Sequence, residues 1–179
     1  MLPDILDYAL DLVVCGSAAG TRSALAGRYY AGPGNKFWKT LAGTRLTPVL
    51  LEAAEFRRVL EFGIGLTDLA QGQAGADATI RFEMAQRENL RKRILKYRPK
   101  VLCFNGKRAA QEYLGTRTVN YGPMPEVIGE TTLFVAPSTS GAANGAWDIR
   151  QWRRLAGLVR ASQTRVGEAT VRAPVNLKV

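Results

Sequence analysis

Three stretches of this chain hold residue types that could do chemistry on a flat or anionic ligand. In Gly16-Ser-Ala-Ala-Gly20, glycines stand four residues apart behind an apolar run. Such a loop lets backbone N–H groups approach an anion or a carbonyl. It lacks the Gly-Lys-Ser/Thr ending of a P-loop, and by spacing alone it reads equally as a tight turn. Arg28-Tyr-Tyr-Ala-Gly-Pro-Gly-Asn-Lys-Phe-Trp-Lys39 follows at once. Its glycine–proline turn can present an aromatic face to a planar ligand, with Tyr29 and Tyr30 ahead of the turn, where side chains are exposed; Phe37 and Trp38 read as core. In Gly65-Leu-Thr-Asp-Leu69 a carboxylate, Asp68, ends an apolar run. It could accept a proton or face a developing cation, or cap a helix.

Composition narrows the chemistry. The 179 residues contain no histidine and two cysteines, Cys15 and Cys103. Ser-His-Asp catalysis, His-ligated metals and four-cysteine iron–sulfur clusters are therefore excluded. Both cysteines sit in apolar runs and read as buried and reduced. Lys and Arg outnumber Asp and Glu by 25 to 15, a net charge of +10. An excess of this size suits a polyanionic partner, because each neutralised phosphate releases a counterion. A membrane surface is the competing partner, but no long basic amphipathic helix with a strong apolar face is present. The chain also has no apolar run of membrane-spanning length, and its first residues lack the order of a signal peptide. A cytoplasmic, single-domain protein is the expectation.

These residues need elements to position them. Four short, continuous apolar runs read as strands: Asp11–Gly16, Gly63–Leu69, Val101–Gly106 and Thr132–Pro137. Continuous rather than alternating apolarity suits a sheet covered on both faces. Helical spacing fills the gaps over Asn35–Leu41, Thr47–Glu61, Thr79–Tyr97, Lys107–Leu114 and Asp148–Ser162. The basic end of the Thr79–Tyr97 segment reads as a solvated face favoured by the helix dipole. The order implies an α/β fold with a mainly parallel sheet and right-handed crossovers. Ligands in such sheets gather where loops leave the C-terminal strand ends. Gly16–Gly34, Thr67–Asp77, Asn105–Arg108 and Pro137–Asn144 all begin there and are expected to converge. Residues 163–179 lose periodicity and form a basic C-terminal tail beyond a 1–162 domain.

Gly16-x-x-x-Gly20, Ser23-Ala24, Tyr30-Ala-Gly-Pro-Gly-Asn-Lys-Phe-Trp-Lys39 and Gly65-Leu-Thr-Asp-Leu69 together resemble the mismatch-specific uracil-DNA and thymine-DNA glycosylases of the uracil-DNA glycosylase superfamily. The likeness runs from about Leu12 to Leu158. It implies a three-layer α/β/α fold with a four-stranded, mainly parallel central sheet. It also implies excision of a flipped base from DNA without metal or cofactor. Carried over by position, Tyr30 matches the aromatic that stacks on the extruded base, and Ser17, Ser23 and Asn35 match groups that contact it. Asn35 could instead cap the helix after it.

Two departures matter. Where the family reads Gly-Ile-Asn-Pro-Gly, with the Asn holding the attacking water, this chain has Ala18, and a methyl group cannot orient water. Where relatives often carry an amide or an amine, this chain has Asp68, whose carboxylate could stabilise the sugar cation and take a proton from water. The wedge segment matches Pro137–Gly145. Its Ser138, Ser140, Gly141, Ala142 and Asn144 are expected on the DNA, with Thr139 as a further hydroxyl donor. Arg22, Lys36, Lys107 and Arg108 flank the loops and are expected to touch phosphates. Because the wedge is small and extrusion is easiest at mispairs and single strands, those substrates are favoured. The reading is a monomeric, monofunctional glycosylase acting on uracil in DNA. An inactive damage-binding protein and a small-nucleotide binder using Gly16–Gly20 are the alternatives.

Overall fold

The computed structural model describes residues 2–171; the side chains of Asp77, Asn144, Ala146 and residues 165–171 lie outside that description. All four expected strands form: β1 (Leu12–Gly16), β2 (Ile64–Asp68), β3 (Val101–Asn105) and β5 (Thr131–Ala136). A fifth, β4 (Gly122–Ile128), makes the sheet five-stranded in the order β2-β1-β3-β5-β4. The four-stranded expectation is thus corrected by one edge strand. β4 pairs antiparallel with β5, with its register shifted between Pro123 and Val127. Pro123 and Pro125 have no N–H to donate, and an edge strand tolerates that loss. The same prolines and the exposed positions around them hid β4 in the sequence.

The remaining strands pair in parallel, and both faces are buried. Leu12, Val14, Leu66, Cys103 and Phe134 point to one side, against α2 (Phe37–Gly43) and α5 (Ile149–Val171). Val13, Cys15, Leu102, Phe104 and Val135 point to the other, against α3 (Met84–Tyr97) and α4 (Lys107–Leu114). Helices on two faces explain why the strands are apolar throughout. Cys15 and Cys103 are buried on opposite faces and unpaired. No helix is long and apolar enough to cross a membrane.

Several boundaries differ from those expected. A short helix, α1 (Thr21–Ala26), follows the glycine loop and ends at Gly27 in the left-handed region, φ 63°; the loop had hidden it. Thr47–Glu61 is not one helix. Pro48 disfavours helical geometry at Thr47, and only a 3-10 helix, Ala53–Phe62, forms, capped reciprocally by Glu52 and Glu55. α3 starts at Met84 rather than Thr79, behind a capping box of Glu83 and Gln86. Ahead of it, Gln73 grips the Arg81 main chain through two hydrogen bonds, 2.9 and 2.6 Å. α5 continues past Ser162 to Val171, so the segment read as tail from 163 begins as helix; residues 172–179 lie outside the described residues.

Candidate functional site

The register sets Gly16 beside Asp68 and Asn105 beside Ala136, so these four C-terminal strand ends lie along one edge of the sheet. The four loops that leave this edge enclose a cavity of about 450 Å³. Gly16, Ala18 and Tyr30 line it from the first loop, Gly75 and Ala76 from the second, Asn105 from the third, and Ser138–Ala142 from the fourth. The expected convergence of all four segments is what the fold produces. A larger groove of about 740 Å³ lies at the opposite end, beside Val101 and Thr131, where no Gly-rich loop arrives.

Tyr30 forms one wall. Its φ of 53° is unusual for a residue with a side chain. Two contacts hold it there: the Ala31 N–H donates to Ser23 Oγ at 3.1 Å, and the ring stacks on Phe37 with centroids 3.8 Å apart. The Tyr30 hydroxyl is buried, with the Asn105 side chain beside it. Burial first, and the nearby Asp68 charge second, push its pKa up, so it stays a neutral donor. Tyr29, expected to be exposed, is instead in the core at 2% exposure, as are Phe37 and Trp38.

Of the base-contacting set, Ser23, Tyr30 and Asn35 line the cavity, and Ser17 does not. The Ser17 carbonyl instead accepts the Ala70 N–H at 2.8 Å, tying the first loop to the second. Asn35 stands at the start of α2 and at the cavity wall. Its Oδ1 accepts the Phe37 N–H at 2.9 Å at the start of α2, while the residue lines the cavity. Asn105 was missed as a site residue, and Thr139 was expected only as a hydroxyl donor to DNA. They exchange two hydrogen bonds, 2.9 and 3.0 Å, that fasten the end of β3 to the loop after β5. The available signal was a polar residue closing the apolar run Val101–Phe104.

Asp68 is 6% exposed and is not among the residues lining the cavity. A Cβ placed on Gly16 would collide with Asp68 Oδ1 and lie 3.7 Å from Tyr30 Oη. The carboxylate is therefore packed against the bare backbone of Gly16. It also lines a separate chamber of about 60 Å³ with Ala19, Ala70 and Gln71, large enough for water. Among the described residues the carboxylate accepts no hydrogen bond. Burial, then the charge of Asp4, raise its pKa to about 7, with Arg93 opposing them. Near neutrality this carboxyl can either hold or release a proton, as a general base requires.

The basic residues divide. Arg22 is exposed on α1 and lines the cavity. Lys36 lies beside it in the chain's turn, its N–H donating to the Thr139 carbonyl at 2.8 Å and its Nζ 5.5 Å from the Trp147 ring centroid. Lys107 and Arg108 do not line the cavity. Lys107 lies over Tyr121, 4.6 Å to the ring centroid; Arg108 lies over Phe82 and pairs with Glu112 at 3.1 Å. Ser138, Ser140, Gly141 and Ala142 line the cavity, and a Cβ placed on Gly34 would lie 4.0 Å from Gly141 Cα. The Asn144 side chain lies outside the described residues. No cluster of three or more metal-ligating side chains occurs among the described residues.

Comparison with known proteins gives this geometry a family. The fold is similar to the solution NMR structure of "a putative Uracil DNA glycosylase from Methanosarcina acetivorans", with a TM-score of 0.55 and 21% identity over 89% of this chain and 96% of that one. That likeness concerns the fold: a mainly parallel sheet between helices. The sequence profile of the Uracil DNA glycosylase superfamily matches residues 3–156, a span that takes in every strand and all four cavity loops. The chain belongs to the Uracil DNA glycosylase superfamily.

Proposed function

We propose that this protein is a monofunctional DNA glycosylase that flips uracil out of mismatched or single-stranded DNA and hydrolyses its N-glycosidic bond. The observation that supports this most directly is the cavity itself. It opens at the C-terminal strand ends, holds Tyr30 as an aromatic wall, and offers Asn35 and Ser23 as polar contacts. An apolar wall with a few convergent polar groups is what a planar heterocycle needs. Arg22, which lines the cavity, and Lys36, next to the lining residue Asn35, are assigned to phosphate contacts, and Ser138–Ala142 to the wedge.

Ala18 at the cavity supplies no group to hold water, so the reactive carboxylate is assigned to Asp68. Cleavage of the C–N bond leaves positive charge on the sugar and negative charge on the departing base. A carboxylate packed against Gly16, a cavity-lining residue, stabilises that cation through space. The chamber that Asp68 lines gives water a place beside a proton acceptor. Single-turnover excision tests the reading, on G·U duplex and on single-stranded uracil DNA, with wild type beside Asp68→Asn. Excision by the wild type and its loss in the variant are the expected results. Wild-type excision unchanged by Asp68→Asn removes Asp68 from the mechanism.

A second reading, a damage-binding protein without catalysis, is favoured by one observation: Asp68 lines the small chamber and is not among the residues lining the cavity. Tight binding of uracil DNA with no cleavage at high enzyme excess would establish it.

A further inference from the structure

On the side of Asp68 away from the cavity lies a charged cluster that the glycosylase reading leaves unused. Arg93 reaches it from α3 with its side chain 14% exposed. Its Nη2 donates to the main-chain carbonyl of Asp68 at 3.0 Å, and its Nη1 lies 3.4 Å from Asp4 Oδ2. The other Asp4 oxygen accepts from Thr67 Oγ1 at 2.6 Å and from Gln71 Nε2 at 2.5 Å. The segment bearing Asp4 is itself bonded to β2, with Ile5 and Leu66 exchanging two main-chain hydrogen bonds of 2.9 and 2.8 Å. One side chain from the N-terminal segment and one from α3 thus grip residues 67, 68 and 71.

Resting on the assignment of Asp68 as the reactive carboxylate, we propose that Asp4 and Arg93 are a positioning pair: Arg93 pins the Asp68 main chain at the end of β2, and Asp4 presents the negative charge that its carboxyl must face. An ion pair that served only to staple the N-terminal segment could sit anywhere along β2. This one closes on the residue whose carboxylate packs against Gly16, and it takes up the neighbouring Thr67 and Gln71 side chains to do so. Charges removed from water are costly unless well partnered; here Asp4 accepts two hydrogen bonds and Arg93 uses both Nη atoms, while its Nε is buried without a partner among the described residues. The other titratable groups facing Asp68 are Cys15 on β1 and Tyr29 and Tyr30 after α1. Burial raises the pKa of each and keeps it neutral. Asp4 and Arg93 are the charges left to act on it, in opposite directions.

The test follows the Asp68 carboxyl directly by carbon NMR across pH in the full chain, with excision measured over the same range. Asp4→Asn is expected to lower the Asp68 midpoint by about one pH unit. Arg93→Gln is expected to raise it, and Arg93→Lys, which restores the charge, to bring it back toward wild type. The pH profile of excision should move with each midpoint. Variants that lose thermal stability but leave the Asp68 midpoint where wild type has it would overturn the pair. Should the midpoints move while the excision profile stays fixed, the pair stands and the catalytic assignment of Asp68 falls instead.

Discussion

Asp68 and Gly16 form a unit whose members constrain one another. The carboxyl titrates at about 7 in the folded protein against an ordinary value of 3.8, with burial as the main cause. Because the folded value is raised, the folded state keeps a proton that the unfolded chain has already released. Stability therefore falls as pH rises from about 4 to about 7, and the full cost is present above that. Asp68→Asn removes the titration. Urea melts should show the variant gaining on wild type by roughly 2 kcal/mol or more between pH 5 and pH 8. In the same variant, excision should fall by about 10²–10⁴-fold. Wild-type excision should climb through a midpoint near pH 7, since the unprotonated carboxylate is the active form. Gly16→Ala drives a methyl group into Asp68 Oδ1. It should cost about 1–3 kcal/mol, and a good part of that should return in Gly16→Ala/Asp68→Ala, which removes the colliding oxygen.

At the scale of elements, the site depends on how loops are tied to strand ends. β3 ends in Asn105, whose amide holds the main chain and hydroxyl of Thr139. That pair and the Lys36 N–H to Thr139 carbonyl bond bring the third, fourth and first loops together. Asn105→Ala leaves the Thr139 N–H without its acceptor, and an unpaired buried donor costs about 1–3 kcal/mol. The variant should show a lower urea midpoint. It should also show a higher half-saturating DNA concentration, because the Ser138–Ala142 wall is no longer fixed. A variant whose DNA dependence matches wild type would mean that this loop holds its place by other contacts. The second loop is tied differently, through the Gln73 grip on Arg81 and a main-chain bridge from Ala74 to Ala19.

For the molecule as a whole, the net charge of +10 sets the strength of DNA binding and its salt dependence. Charge alone does not say which lysines and arginines meet phosphate. Arg22 lines the cavity and Lys36 follows the lining residue Asn35 with its Nζ over Trp147, whereas Lys107 and Arg108 are engaged with Tyr121, Phe82 and Glu112. Replacing Arg22 or Lys36 by Ala should weaken binding on all sequences alike and reduce the log–log salt slope by about one. The same change at Lys107 or Arg108 should leave the slope close to wild type. Equal slope losses at all four would place the DNA across α4 as well as the cavity.

The four buried strands, the two-sided sheet and the convergence of four loops were legible in the residues, because apolar runs and glycine turns are local signals. So were Tyr30, Asn35 and the unusual carboxylate at 68, since their types and spacing stand out against an apolar background. The edge strand β4 was not legible: its prolines and exposed side chains look like a loop until β5 supplies the partner. Nor could the chain by itself say that Ser17 and Lys107 do not line the cavity, because placement at a strand end is set by neighbouring elements. Most of all, Asp68 was placed by sequence at a pocket-lining position. Tertiary packing put it beneath Gly16 and gripped by Arg93 from α3. A carboxyl's proton affinity is decided by its surroundings, and residues 4, 16 and 93 meet it only when the chain folds.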